Sequence, residues 1–219
     1  MYSIDLSKMP TAAAIKAEMR LDEKKAFLEG ALTGTGREGI DKIVRFLDNT
    51  DFYRAPGAAV YQSNYAGGLL DHSLITFATA ARVCGAMKEV MPSISGRLPD
   101  ESVAIASLLH GVCKVGYYRA EEKRRRRTDG EWESYDYYVA DDNFPIGHSE
   151  KSVIMLVTLG LKLTPDEMIA IRYSTGMWDG GMFTAEMRAS YEKASNICPL
   201  MHAIQTGVYM SSKLFEDRV

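Results

Sequence analysis

Leu108-Leu109-His110-Gly111-Val112-Cys113-Lys114 closes the run Ser102 to Leu109, which is apolar at helical spacing, so a helix delivers a histidine at its end and a lysine four residues later. A second delivery of the same kind lies upstream. Gly67-Gly68-Leu69-Leu70-Asp71-His72-Ser73-Leu74 opens a long apolar helix with a histidine in its first two turns. Pro92, Gly96 and Pro99 separate the two, which predicts helices over roughly 68–90 and 100–113.

Outward from this pair the helical pattern continues. Residues 10–33 and 36–50 carry amphipathic spacing broken by Gly30, Gly34 and Gly36, which predicts an N-terminal helical pair. Residues 51–65 read as a loop. Ser149 to Leu161 is helical, and Thr164-Pro165-Asp166-Glu167 is a capping box with proline at the first helical position. Residues 184–194 and 197–216 form the last two helices. Asp129-Gly130 lies between two strand-prone runs and predicts a β-hairpin over 123–139. The expected architecture is all-α, a helical bundle with a small inserted hairpin. With 219 residues and 46% hydrophobic content, one domain over 1–219 is expected, divided into the pair 1–50 and a core 51–216.

Composition excludes several classes. No run of about eighteen apolar residues exists, and the first thirty residues alternate charged and apolar groups, so neither a membrane span nor a signal peptide is expected and the chain reads as cytoplasmic. Cys84, Cys113 and Cys198 are odd in number and irregularly spaced, which suits reduced core thiols. A net charge of −3 argues against a general nucleic-acid coat, and nucleic acid is not an expected partner. One local exception is the cationic block Lys123-Arg124-Arg125-Arg126-Arg127, which nearby carboxylates can neutralise.

The two histidine segments, together with Asp141-Asp142-Asn143-Phe144-Pro145-Ile146-Gly147-His148-Ser149-Glu150-Lys151-Ser152, resemble the HD superfamily of metal-dependent phosphohydrolases, notably bacterial and phage members of about this length. The likeness covers roughly residues 50–216 and implies an HD-type helical fold. It also implies metal-ligand positions at His72 and His110, with His148 matching the extra histidine of two-metal branches. The family's His-Asp doublet reads His110-Gly111 here, and Val208 stands where the last helix carries a carboxylate. Gln62 and Ser174 stand where compared relatives carry histidine.

Phosphoester hydrolysis calls for a cation that activates water and neutralises developing charge. Without the doublet carboxylate, neutral imidazoles are poor partners for magnesium or manganese. Four lost ligands therefore favour a dismantled centre, with manganese, magnesium, iron or zinc absent. The expected function is binding of a phosphate-containing small molecule, a nucleotide or cyclic nucleotide, and a phage origin would fit sequestration of a host signalling nucleotide. The expected ligand-binding residues are Gln62, His72, His110, Lys114, Tyr118, His148, Lys151, Arg172, Ser174 and Trp178: cations pair phosphates and aromatic rings stack on a base. A surviving phosphohydrolase is the first alternative. It would hold metal through His72, His110 and His148 with a carboxylate from Asp71, Asp141, Asp142 or Asp179, and use Lys114 catalytically. A scaffold that presents the hairpin to a partner is the second. His72 and His110 each also have a plain reading as a structural residue at the polar end of an apolar helix.

Overall fold

The chain is described by a computed structural model covering residues 2–60, 62–176 and 184–215. Its helices are α1 (Leu21–Gly34), α2 (Ile40–Asp48), α3 (Gly68–Val90), α4 (Asp100–Leu109), α5 (His148–Thr158), α6 (Pro165–Arg172), α7 (Ala185–Ile197) and α8 (Pro199–Met210). Strands β1 (Tyr118–Arg126) and β2 (Trp132–Ala140) pair antiparallel between α4 and α5. The fold is mainly helical with a small β insert.

Helix α3 lies at the centre, because every residue from Gly68 to Ala78 is buried. A helix enclosed on all sides needs partners on all sides, and α1, α4 and α8 supply them. The α3–α8 approach is close enough that a Cβ on Gly207 would lie 3.0 Å from the Thr76 carbonyl oxygen. Helix α6 packs on α4 and α8, α5 on α6, and α2 on α1.

Three boundaries differ from the sequence pattern, each for a local reason. The expected helix 10–33 is split into a π-helical turn, Ala14–Glu18, and α1, because Met19 and Arg20 are extended. The Arg20 N–H donates to the Glu23 carboxylate at 2.8 Å, which starts α1 afresh, and Gly30 sits inside that helix without breaking it. Helix α4 ends at Leu109 rather than near 113, and Val112–Lys114 form a 3-10 turn. The last helix begins at Pro199 after an extended Cys198, and closes in a π-helical turn over Ser211–Phe215.

The hairpin starts earlier than expected, at Tyr118, and its register pairs Arg126 with Trp132. The Arg127 N–H donates to the Glu131 carbonyl at 2.7 Å, and Gly130 takes a φ of +92°, which favours glycine.

The predicted capping box of α6 is present and has a larger role. Thr164 Oγ1 accepts from the Glu167 N–H at 3.2 Å, and the Thr164 N–H donates to the Glu167 carboxylate at 2.8 Å. That carboxylate is fully buried and also takes both Arg37 guanidinium nitrogens, at 2.7 and 2.8 Å, and the Ser102 hydroxyl at 2.6 Å. One carboxylate thereby joins the α1–α2 connection, α4 and α6.

The three cysteines are buried and unlinked. Burial pushes the Cys84 thiol up to about 12 and the Cys198 thiol up to about 11. Since only the thiolate attacks disulfide reagents, the native protein should leave Ellman's reagent unreacted at pH 8 and release three equivalents once unfolded. Unfolded thiols titrate near about 8.5. A raised folded pKa stabilises fully below that value, and the contribution is lost as pH rises towards 11–12. The urea midpoint should therefore fall above pH 9, and a native thiol titrating near 8.5 would contradict the burial.

Candidate functional site

Helix α3 carries His72 and the end of α4 carries His110, and their side chains meet in the interior. The two Nε2 atoms are 3.0 Å apart, and the two residues are 4% and 5% exposed. His110 Nδ1 lies 2.7 Å from the Ser107 carbonyl oxygen. A carbonyl only accepts, so Nδ1 carries the proton, and in a neutral ring the His110 Nε2 lone pair accepts from the His72 Nε2–H. From α5, the Ser152 hydroxyl donates to the His110 carbonyl at 2.6 Å and accepts the Cys113 N–H at 3.2 Å. This clamps the turn that follows His110.

Two neutral imidazoles alone are poor partners for a hard divalent cation such as magnesium or manganese. Among the described residues no three His, Cys, Asp or Glu side chains converge. A Cβ on Gly111 would lie 3.1 Å from Leu69 Cδ1, in apolar surroundings. Asp71, next to His72, is paired with Lys24 at 2.7 Å and accepts the Tyr65 hydroxyl at 3.0 Å, both on the interior side.

The cations expected to meet a phosphate each meet a protein group. The Lys114 ammonium donates to the Gly57 carbonyl, tying the loop 51–67 to the end of α4. Lys151 is buried, 2.5 Å from Asp142, with its ammonium 5.3 Å from the Tyr117 ring centre and 5.9 Å from that of Phe144. The hydrogen bond from Lys151 holds the Asp142 carboxyl below its ordinary range. Arg172 pairs with Glu150 at 2.8 Å on the α5–α6 surface. His148 is exposed at the start of α5, its Nδ1 4.0 Å from Cys113 Sγ and its ring 4.9 Å from that of Tyr117. Burial raises the Tyr118 phenol at the base of the hairpin. Asp141 lies 3.8 Å from Arg119. Trp178 and Asp179 lie outside the described residues.

Three of the four positions at which the resemblance implies a replaced ligand lie together. Gln62, Ser174 and Val208 line one cleft of about 560 Å³ with Thr175, Gln205, Thr206, Tyr209, Ser212 and Lys213. Ser174 and Val208 are buried, whereas the Tyr209 side chain stands at the mouth, 59% exposed. The Gln205 amide donates to the Tyr173 carbonyl at 2.8 Å and accepts the Tyr191 hydroxyl at 3.2 Å, which fixes its plane. Lys213 is exposed and meets no carboxylate among the described residues. Sequence reasoning missed Gln205, Tyr209 and Ser212. Their spacing of four and three residues puts them on one face of α8 and its continuation, a signal that the apolar pattern of 197–216 concealed.

Set against known proteins, the chain matches no protein-family model, no curated protein and no solved structure.

Proposed function

We propose that this chain is a binding protein on an HD-like helical scaffold whose metal centre has been dismantled, and that the cleft between the 51–67 loop and α8 takes a nucleotide. The observation that carries this reading is the convergence of Gln62, Ser174 and Val208, three positions where the resemblance finds a metal ligand replaced, on one cleft with Lys213, which meets no carboxylate among the described residues, at its rim. Clefts of several hundred Å³ with mostly apolar walls and a few placed polar groups suit small ligands. Tyr209 offers a ring for a base, Ser174 and Thr206 offer hydroxyls, and Lys213 pairs a phosphate. Lys114, Lys151 and Arg172 act on this reading as positioning residues for loops and helices.

Thermal unfolding with AMP, ADP, GMP and cyclic AMP tests it. A ligand at a hundredfold its Kd adds about 2.7 kcal/mol, which for a chain of this size raises Tm by roughly 5–10 °C. Lys213→Glu should weaken the binding about tenfold, since a charge-assisted phosphate bond becomes a repulsion. If no nucleotide in the panel moves Tm, the reading fails. A shift that Lys213→Glu leaves untouched would place the ligand elsewhere.

A further inference from the structure

The hairpin splits four of its five consecutive cations two and two between its faces, but engages them unequally. Cross-strand partners share a face, so Lys123 and Arg125 lie on one face with Tyr135, Tyr137 and Glu133, while Arg124 and Arg126 lie on the other with Ser134 and Trp132. On the first face the charges are engaged. The Lys123 ammonium sits 3.4 Å from the centre of the Tyr137 ring, and Arg125 pairs with Glu133 at 2.5 Å and lies 5.1 Å from the Tyr135 ring centre. Arg127, in the turn, faces Asp129 at 3.4 Å. On the second face, Arg126 donates to the Gly130 carbonyl at 2.9 Å, and neither Arg124 nor Arg126 meets a carboxylate among the described residues. By register two acidic residues share that face, Glu122 and Asp136, and Glu122 accepts the Ser134 hydroxyl at 2.6 Å. Beside them Trp132 is 68% exposed.

We propose that this second face binds a single strand of nucleic acid, with Arg124 and Arg126 pairing two neighbouring phosphates and a base stacking on Trp132. Two guanidiniums alternating along a strand are about 7 Å apart, and an indole beside them provides the flat surface on which any base stacks. A membrane is a poorer occupant, because among the described residues Trp132 is the one large apolar side chain exposed on this face, beside the charged and hydroxyl groups of Glu122, Arg124, Arg126 and Ser134. An acidic peptide would leave the indole without a partner. The net charge of −3 limits the site to a short contact rather than a coat.

The test is fluorescence anisotropy of labelled fifteen-nucleotide oligothymidylate with the full chain, over a series of salt concentrations. Two phosphate contacts on a single strand predict that log Kd rises with log salt at a slope of about 1.4. Arg124→Ala with Arg126→Ala should lose at least roughly tenfold in affinity and flatten that slope. Lys123→Ala with Arg125→Ala removes the same formal charge from the engaged face and should bind nearly as the parent does. Trp132→Ala should lose about tenfold and Trp132→Phe much less, because stacking survives in the latter. Far-ultraviolet circular dichroism and Tm of each variant separate lost contact from lost hairpin.

Equal losses in the two double variants would overturn the proposal in favour of diffuse charge. So would tighter binding of a duplex of the same length, binding only to phosphatidylserine vesicles, or no binding of the oligonucleotide at 50 mM salt.

Discussion

Glu167→Ala is expected to destabilise the fold by about 3 kcal/mol or more, read as a fall in the urea midpoint at unchanged slope. The carboxylate has no exposure and four hydrogen bonds, and its removal leaves Arg37 with an unpaired guanidinium whose side chain is only 15% exposed. Breaking a buried pair from one side costs more than the pair is worth, since the surviving charge stays desolvated. Arg37→Met combined with Glu167→Leu should therefore recover much of the loss. If the double variant is as unstable as Glu167→Ala alone, the cost lies in the Ser102 and Thr164 bonds rather than in the stranded charge.

Gly68→Ala should be of similar size, about 3 kcal/mol, for a reason of space. A Cβ at Gly68 would stand 2.0 Å from the Ser63 carbonyl oxygen and 2.9 Å from the Gly57 nitrogen, both backbone atoms that cannot rotate away. The loop there is closed by the Gly57 N–H to the Ser63 carbonyl at 2.8 Å, and is joined to α3 by the Leu69 N–H to the Ala55 carbonyl at 3.0 Å. Relieving the clash lifts the loop from α3 and moves Gln62, so nucleotide affinity at the cleft should fall with stability. Gly30→Ala is the control: a Cβ there meets nothing within 4 Å in the interior of α1, and should gain about 0.5–1 kcal/mol. A native-like Tm for Gly68→Ala would show that the loop has room to shift.

Much of the helical framework was legible because its signals are local. Gly67-Gly68 and Val90 bound α3 as the apolar pattern indicates, Thr164 and Glu167 mark the start of α6, and Asp129-Gly130 marks the hairpin turn. The break at Met19–Arg20 was not legible, because the apolar spacing runs through it and the stop is a backbone conformation. Charge was legible but engagement was not. Lys114, Lys151 and Arg172 look alike in a sequence as cations near a site, yet their partners, Gly57, Asp142 and Glu150, are set by tertiary placement. His72 and His110 were visible as helix-end histidines, whereas their direct contact depends on how α3 crosses α4.

The bonds at Glu167 also bear on the order in which the chain folds. Arg37 is 130 positions away along the chain and Ser102 is 65 away, so the knot cannot close until most of the polypeptide is in place. Contacts of such separation carry a large loop-closure cost, and this one is expected to close after the barrier. The instability of Glu167→Ala should thus show as a faster unfolding limb with the refolding limb nearly unmoved. In the native protein the knot is then a latch on lifetime: it sets how long a folded molecule stays folded more than how quickly it gets there.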